Sequence, residues 1–373
     1  MSKGAGRRND RAPETMGGYQ VKYKTTALLS AVAVMAASPA VAENFTFRIG
    51  SGHPNGPAVY VADVADFFVP EVKKRAEAAG HTVEFVEGYG GAIAGVAETL
   101  ESVQNGILDI GAYCICFEPA KLFLHNFPYY TPFGPQDAEQ SMTAVRATYD
   151  AVPWLTEQFE SEYDQVLLGL HGWDNYHLGT TDPWDTVDDL QGVKIGGAGP
   201  NLPWLEFAGA VPVQSTLPDG YLSLQTGVYN GWLMFPSAYL GFKFYEPAPN
   251  YTLIGFGAMG VNALTMNQRK FDSLPEDMQQ ILMEAGRAYE DQSGASNNGR
   301  QASGLTGLKE AGAVIKELPE EARAGWAASL TSFPNQQAKD ADGRGMPGSE
   351  VMKAYLKAVA DTGYKMPVEY VIE

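Results

Sequence analysis

Strand-like and helix-like spacings of apolar residues alternate through the first third of the chain. Residues 45–50 alternate apolar and polar side chains, as a strand does, whereas residues 58–79 repeat apolar side chains at helical intervals. A second strand-like stretch at 81–86, a helix ending near Asn105 and a third strand at 107–117 follow. This β-α-β-α-β order predicts a mainly parallel sheet covered by helices.

The same alternation returns later in the chain. It predicts strands at 166–171, 193–195, 211–214 and 228–234, a helical turn at 184–190, and helices at 202–208 and 219–226. Beyond residue 250 the pattern changes, with a strand-like stretch at 251–267, one long helix at 275–301 and further amphipathic helices at 305–373.

One sequence motif occurs twice, once in each half of the chain. S-V-Q-N-G-I-L-D-I-G begins at Ser102, and S-L-Q-T-G-V-Y-N-G-W begins at Ser223. In each copy a helix is predicted to end at a glycine, Gly106 or Gly227, because glycine adopts the left-handed cap conformation at little cost. The repetition predicts two lobes of similar build whose strands end at a shared crevice, where α/β sheets bind ligands. Trp232, present only in the second copy, is predicted to lie near that crevice.

The first 42 residues have the pattern of a secretory signal peptide with a short leader. Lys22 and Lys24 precede an uncharged run, residues 25–42, that ends in Ala-Val-Ala before Glu43. This run is shorter than the ~20 residues that a membrane-spanning helix needs, and no lipid-anchor cysteine follows it. The sequence therefore predicts export, cleavage after residue 42 and no membrane anchor. The polar, patternless residues before Met16 favour Met16 as the true start.

The exported part is strongly acidic. The whole chain has 26 basic and 44 acidic residues, of which six basic and two acidic ones lie before Glu43, so 20 and 42 remain. Such a surface repels phosphate backbones, which argues against nucleic acid as a partner. The residues after Ala42 suffice for two lobes of roughly 150 residues each.

Cys114 and Cys116 are the only cysteines. Positions two apart on a strand point to the same face, and a one-residue spacer is tight for a disulfide. We therefore expect two small buried thiols beside the crevice, and neither a redox pair nor a metal site.

Motifs for catalysis or cofactor binding are weak. G-F-G-A-M-G at 255–260 matches a dinucleotide fingerprint, but the residues that follow are strand-like, whereas such a site needs a helix there. Its glycines are instead predicted to allow close backbone packing. The spacing of His171 and His177 matches no common zinc pattern, and no nucleophile motif stands out. We expect no metal and no cofactor.

Aromatic residues instead gather at the predicted strand ends and loops. They fall in three stretches, 173–177, 229–232 and 235–239. Each ring alone is as compatible with core packing as with a site. As a set, the rings suit a pocket that encloses a small ligand while a few polar groups orient it.

Several segments resemble the periplasmic solute-binding subunits of tripartite ATP-independent periplasmic (TRAP) transporters, the DctP-like family. They cover essentially the whole exported chain in the family's order: V-Q-N-G-I-L-D-I-G-A (103–112), D-D-L-Q-G-V-K-I (188–195), S-L-Q-T-G-V-Y-N-G (223–231), K-F-Y-E (243–246) and M-N-Q-R-K-F-D-S-L-P-E-D-M-Q-Q-I-L (266–282). The resemblance implies an α/β clamshell of two lobes joined by crossing strands and a long helix that spans both lobes. It places lobe one at 43–173 and about 262–302. Lobe two comprises 174–261, and the C-terminal helices, about 303–373, belong to lobe two or span both lobes.

The resemblance also implies a function. It describes a non-enzymatic protein that captures a small solute in the periplasm and delivers it to TRAP membrane subunits. Members commonly place an arginine after D-L-x-G-x-K-I, where its planar fork grips a ligand carboxylate, but this chain has Gly196 there. A second frequent arginine corresponds to His177, and the acidic residue of metal-dependent members corresponds to Leu233.

These departures constrain the solute. Burying an anion without a cation or several hydrogen bonds is costly, so a dicarboxylate is not expected. An aromatic or other monocarboxylate, bound by neutral donors, is one alternative. A neutral solute, or an amine held over aromatic faces, is the other, and pocket chemistry does not separate them at this point.

The predicted ligand site draws on both lobes. Trp232 is expected to stack on the ligand and His177 to donate or accept a hydrogen bond. The full predicted set is Tyr113, Cys116, Glu118, Trp173, Tyr176, His177, Gly196, Gly197, Asn230, Trp232, Phe235 and Tyr239.

Two other functions remain open from the sequence. An exported enzyme acting on a small metabolite would recruit Glu118 and His177 as acid or base, although nothing supplies a nucleophile. A subunit of an ATP-driven importer, or a chemoreceptor accessory protein, would share the clamshell, and only the family motifs favour the TRAP assignment.

Overall fold

The computed structural model describes residues 43–373, so the predicted signal peptide and leader at 1–42 lie outside the described residues. Eleven strands are present in the described part of the chain: β1 (Asn44–Gly50), β2 (Thr82–Gly88), β3 (Ile110–Cys114), β4 (Gln165–Trp173), β5 (His177–Thr180), β6 (Lys194–Gly197), β7 (Val211–Gln214), β8 (Gly231–Met234), β9 (Asn250–Leu253), β10 (Met259–Asn267) and β11 (Val314–Glu317). They form two mixed sheets, one in each lobe.

Helices cover both sheets. They are α1 (Val59–Asp63), α2 (Val69–Ala78), α3 (Thr99–Gln104), α4 (Ala138–Ala151), α5 (Trp154–Tyr163), α6 (Leu202–Glu206), α7 (Leu217–Gln225), α8 (Pro236–Gly241), α9 (Gln268–Asp272), α10 (Glu276–Glu310), α11 (Glu320–Ser329), α12 (Phe333–Gly343) and α13 (Gly348–Asp361). A π-helical turn, Val64–Phe68, joins α1 to α2, and short 3-10 segments follow β3 and β6 at Ile115–Phe117 and Gly199–Asn201.

The first lobe contains a five-stranded sheet in the order β2-β1-β3-β10-β4. β1 pairs in parallel with β2 and β3, as the alternating sequence pattern predicts. β10 arrives from the far part of the chain and pairs antiparallel with both β3 and β4. The sheet is therefore mixed, because the strand that completes it does not come from a β-α-β unit.

The second lobe contains a six-stranded sheet in the order β11-β9-β5-β8-β6-β7. β6 is parallel to β7 and β8, whereas β5 is antiparallel to its neighbours β8 and β9. The last two helices, α12 and α13, pack on each other and on the 3-10 segment Leu124–Tyr130 of the first lobe, and α13 also packs on α4. The sequence places the C-terminal helices in lobe two or across both lobes, and these two contact lobe one.

The repeated sequence motif forms the same helix C-terminus in both lobes. Gly106 after α3 and Gly227 after α7 have φ values of 70° and 72°. The amide of the next residue donates back to Ser102 O at 2.8 Å in one copy and to Ser223 O at 2.9 Å in the other. This is the Schellman arrangement that a left-handed glycine permits.

The long helix α10 has 35 residues and spans both lobes. Its first half packs on β4, where Gly286 lies against the backbone of Leu168, and its second half packs on α8, where Gly304 lies against the backbone of Ser237. At 1.5 Å per residue the helix is about 52 Å long, which is enough to reach across a two-lobed domain.

Two segments of chain cross between the lobes beside this helix. Residues 174–176 lead from β4 to β5, and residues 254–258 lead from β9 back to β10. The amide of Tyr176 donates to Gly257 O and the amide of Phe256 donates to Tyr176 O, both at 3.1 Å. Asn175 joins this ribbon to α10, because its amide donates to Gln301 Oε1 at 2.9 Å.

The glycine-rich stretch at 255–260 belongs to the second crossing segment. A Cβ at Gly257 would lie 3.1 Å from the backbone nitrogen of Gly134. Close backbone packing, as the sequence analysis predicted, is therefore what this stretch provides.

Asp174, in the first crossing segment, is fully buried and bonded to lobe two. Its carboxylate accepts hydrogen bonds from the amide of Ser237 at 3.1 Å and from the Ser237 hydroxyl at 2.8 Å. Burial raises the pKa of Asp174 to about 7, and the bonds from Ser237 offset only part of this rise. Ionisation of Asp174 therefore opposes folding.

We expect Asp174→Asn to reduce the pH dependence of stability. Because the folded-state pKa lies above the unfolded value of about 3.9, the native protein retains a proton that the unfolded chain releases. Its free energy of unfolding should then fall as the pH rises from about 4 to about 7. The amide bears no charge and can still bond Ser237, so the melting temperature of the variant should fall less over that range. Asp185→Asn, at a side chain that is 97% exposed, is the control, and equal slopes for the two variants would contradict the assignment.

Candidate functional site

A small cavity lies between the lobes next to the crossing segments. Lobe one and the first crossing segment contribute His53, Cys116, Phe117, Trp173 and Tyr176 to its wall, and lobe two contributes Ala198, Asn201, Leu217, Trp232, Leu233, Met234 and Phe235. Its volume is about 20 Å³, close to what one water molecule requires. A larger solute can therefore occupy this cavity only after the lobes or the rings move apart.

Aromatic rings from the two lobes meet in this wall. Trp173, the last residue of β4, stacks on Phe235, which follows β8, with ring centroids 4.6 Å apart and planes 25° apart. Tyr60 meets the same indole edge-on at 5.1 Å. The strand ends of both sheets place these rings at the crevice, as the rule for open α/β sheets predicts.

The wall has no formally charged side chain. Among the described residues that line the cavity, none is Asp, Glu, Lys or Arg. His53 is the one histidine in the wall, and burial lowers its pKa to about 4, which leaves the imidazole neutral at neutral pH. The rings therefore surround a space that offers hydrogen bonds but no ionic partner.

The structure brings five of the predicted site residues together at the cavity: Cys116, Trp173, Tyr176, Trp232 and Phe235. Seven others lie outside its wall: Tyr113, Glu118, His177, Gly196, Gly197, Asn230 and Tyr239. Their positions have separate physical causes.

Tyr113 and Tyr239 are core residues of the two lobes. The Tyr113 hydroxyl donates to Gln165 Oε1 at 3.1 Å, and the Tyr239 hydroxyl donates to Ala248 O at 2.6 Å. Both hydroxyls thus have buried partners within their own lobe. Asn230 directly precedes β8 and is exposed.

Glu118 lies one residue beyond the cavity wall and faces Lys121, with the carboxylate 3.3 Å from Nζ. Burial raises the pKa of Glu118 to about 7. Gly197 lies beside Asn201, where a Cβ would be 2.7 Å from Oδ1. Both residues therefore border the wall without forming it.

His177 stabilises the crossing segments, and the expected ligand bond is not available at its Nδ1. That nitrogen accepts a hydrogen bond from the amide of Gly255 at 3.0 Å. Burial, reinforced by nearby Arg323, lowers the pKa of His177 to about 3. A neutral imidazole in this position orders the backbone of the second crossing segment.

Cys114 and Cys116 form a disulfide, so the expectation of two free thiols is wrong. That expectation assumed a continuous strand through residue 117, but β3 ends at Cys114 and the chain turns into the segment Ile115–Phe117. The turn brings the two Cα atoms to 5.1 Å, within the range that a disulfide spans. The bond lies in the cavity wall through Cys116.

His53 and Asn201 are the polar wall residues that the sequence analysis missed. Each follows a parallel strand by a few residues, His53 after β1 and Asn201 after β6. The rule that ligands bind at the carboxyl ends of such strands could have found both. Neither lies in one of the three aromatic stretches, so the aromatic pattern of the sequence does not indicate them.

Within the described residues, no group of three or more His, Cys, Asp or Glu side chains is arranged to hold a metal ion. The helices at 43–373 include none that is long and apolar enough to cross a membrane.

Comparison with known proteins identifies the family. Residues 74–340 match DctP, described as bacterial extracellular solute-binding protein, family 7. The chain belongs to this family. The sequence resemblance is thereby confirmed, and the DctP fold accounts for the two lobes.

Several curated relatives of this DctP family member are solute-binding proteins. A solute-binding protein of Sulfitobacter sp. is 30% identical over 139 residues, which cover 37% of this chain and 42% of that relative. The C4-dicarboxylate-binding periplasmic protein DctP of Rhodobacter capsulatus is 25% identical over 71% of this chain and 85% of its own. The ectoine-binding periplasmic protein TeaA of Halomonas elongata is 25% identical over 91% of this chain and 97% of its own.

Solved TRAP solute-binding proteins have the same fold. One from Rhodoferax ferrireducens, in complex with benzoate, has a TM-score of 0.77 at 18% identity and covers 85% of this chain and 98% of its own. Another, from a marine metagenome and in complex with 3-hydroxybenzoate, has a TM-score of 0.77 at 20% identity and covers 86% of this chain and 99% of its own.

Gly196 stands where the sequence resemblance implies an arginine, and the structure shows what occupies that space instead. β6 and β8 pair so that Gly196 lies opposite Trp232. A Cβ at Gly196 would be 2.6 Å from Trp232 Cε3 and 3.1 Å from Tyr229 Cε2. The indole of Trp232 thus fills the space that a side chain at position 196 would enter, and an arginine there is incompatible with this ring position.

We expect Gly196→Ala to destabilise the protein by about 1–3 kcal/mol, because a buried methyl group would overlap the Trp232 ring. The free energy of unfolding in urea measures the effect. Gly325→Ala is the matched control, since Gly325 is exposed in α11 and a Cβ there meets nothing within 4 Å. That variant should gain up to about 1 kcal/mol, and equal stabilities would show that Trp232 does not restrict position 196.

Proposed function

We propose that this protein is the solute receptor of a TRAP transporter. It is exported, captures a small monocarboxylate with an apolar body between its lobes, and delivers it to the membrane subunits. The observation that carries the proposal is the small, ring-lined cavity between the lobes, with neutral polar groups in its wall. Small-molecule sites have this composition, with apolar and aromatic walls and few polar groups.

The chemistry of the wall selects among solutes. A dicarboxylate would bring a second negative charge into a space whose wall supplies no cation, and an unpaired buried charge is strongly unfavourable. Benzoate and 3-hydroxybenzoate, bound by the two solved proteins of the same fold, each combine one carboxylate with a flat ring. A ring of that kind matches the stacked wall of Trp173 and Phe235.

A neutral solute is the second candidate. The absence of formal charge among the described wall residues favours a neutral molecule as much as it disfavours a dicarboxylate. The choice between the two candidates depends on whether the polar groups of the wall stabilise a carboxylate.

Lobe closure accounts for capture without catalysis. A solute that contacts both lobes binds the closed form more tightly than the open one and shifts the population towards closure. Glu118 and His177, which an enzyme would need as acid or base, lie outside the cavity wall. Glu118 faces Lys121, and His177 bonds Gly255.

We expect benzoate, 3-hydroxybenzoate or mandelate to raise the melting temperature, whereas succinate and benzylamine do not. A solute at 100 times its dissociation constant stabilises the folded state by about 2.7 kcal/mol. Benzamide tests the neutral candidate. A shift with benzamide but with none of the acids would replace the proposed solute class, and mass spectrometry should recover the bound solute unaltered.

Trp232→Ala should abolish most of the thermal shift that an active solute causes, because the variant loses the larger of the two rings, Trp232 and Phe235, on the lobe-two side of the cavity. The comparison concerns the shift between liganded and unliganded samples of each variant. Trp184→Ala removes an equally buried indole that does not line the cavity and should retain the shift. An undiminished shift in Trp232→Ala would remove Trp232 from the site.

A further inference from the structure

Three buried polar atoms at the cavity have no hydrogen-bond partner among residues 43–373. They are Nε2 of His53, Nε1 of Trp173 and Nδ2 of Asn201. The three residues are at most 2% exposed and all three line the cavity, so these atoms are shielded from solvent beside it. A buried polar group without a partner is unfavourable, and a ligand that bonds to all three would stabilise the closed form.

Each of these atoms can be assigned as a donor. An indole Nε1–H only donates. The Oδ1 atom of Asn201 accepts from the amide of Ala198 at 3.2 Å, which leaves the side-chain Nδ2 as the donor without a partner.

A hydrogen-bond chain assigns the His53 tautomer. The His53 amide donates to Ser51 Oγ at 3.2 Å, Ser51 Oγ lies 3.0 Å from Tyr60 Oη, and Tyr60 Oη lies 2.9 Å from His53 Nδ1. Both hydroxyl hydrogens find an acceptor in this chain if Ser51 donates to Tyr60 and Tyr60 donates to Nδ1. The proton of the neutral ring is then on Nε2, which donates into the cavity.

The donors come from both sides of the cleft. His53 and Trp173 belong to lobe one, with ring centroids 6.5 Å apart, and Asn201 belongs to lobe two. An acceptor that receives all three bonds must bridge the lobes. Binding and closure are coupled by that requirement, because the open form cannot supply both sides at once.

We propose that His53, Trp173 and Asn201 form a charge-neutral, donor-only anchor for the carboxylate of a small monocarboxylate. A carboxylate offers two oxygens and about four lone-pair sites, so one group can accept three donors. An ammonium N–H would meet donors and lose its own bonds to water. The anchor rests on the proposed function and specifies the group that this site recognises.

The test is isothermal titration of the purified protein with benzoate, 3-hydroxybenzoate and mandelate. Trp173→Phe keeps a ring against Phe235 but removes the Nε1–H donor, and should weaken binding of the active acid roughly 10- to 100-fold. Trp184→Phe is the matched control, since Trp184 Nε1 is also buried without a partner but lies away from the cavity wall. It should bind as wild type does.

Asn201→Asp gives a second, independent reading. It keeps an oxygen for the Ala198 amide and replaces the donor by a carboxylate, so binding of the acid should fall by more than 100-fold. Because His53 stays neutral, wild-type affinity should be constant between pH 6 and pH 8.

The outcomes separate the two proposals. If an acid binds wild type and Trp173→Phe binds it equally well, the anchor is wrong and the proposed function stands. If affinity falls steeply as the pH rises from 6 to 8, a protonated histidine holds the acid, and the neutral anchor is again wrong. If none of the acids binds wild type, the monocarboxylate and the anchor both fail.

Discussion

Backbone hydrogen bonds between the two crossing segments hold the lobes of this protein together. Tyr176 exchanges amide and carbonyl bonds with residues 256–257, and Asn175 extends the connection to α10. Hinges of this kind absorb rotation of lobes through dihedral changes at a few residues. Asp174 bonds Ser237 of lobe two, and His177 bonds Gly255 of the second crossing segment. Asp174 and His177 are residue types that often act in catalysis, but in this protein their hydrogen bonds involve the segments that connect the lobes.

The crossing segments also determine where the cavity lies. Trp173 is the last residue of β4 before the crossing, and Tyr176 is the last residue of the crossing before β5. Their rings therefore lie next to the segments that connect the lobes. His53 and Asn201 reach the cavity from lobe one and lobe two. At Gly196, where the sequence resemblance implies an arginine, the Trp232 indole fills the space of a side chain. Under the proposed function, recognition then depends on the direction of hydrogen bonds more than on charge.

Much of the architecture could be predicted from sequence because it depends on local spacing. The helix ends at Gly106 and Gly227, the long helix and the rings at Trp173, Trp232 and Phe235 all follow from short patterns. What could not be predicted depends on contacts between distant residues. The antiparallel position of β10 is set by a return of the chain after about 90 residues, and the partner of His177 is a backbone amide at Gly255. The disulfide was missed because strand periodicity does not reveal where β3 ends.

The position of β10 in the first sheet has a consequence for how the chain folds. β4 contacts the rest of its sheet through β10 alone, so residues 43–173 leave two open strand edges until residue 267 is present. Open edges attract other strands, and pairing over such a sequence distance is slow. For a chain exported N-terminus first, as we propose, this order delays folding of the first lobe during translocation. The lobe is completed only when most of the polypeptide has emerged.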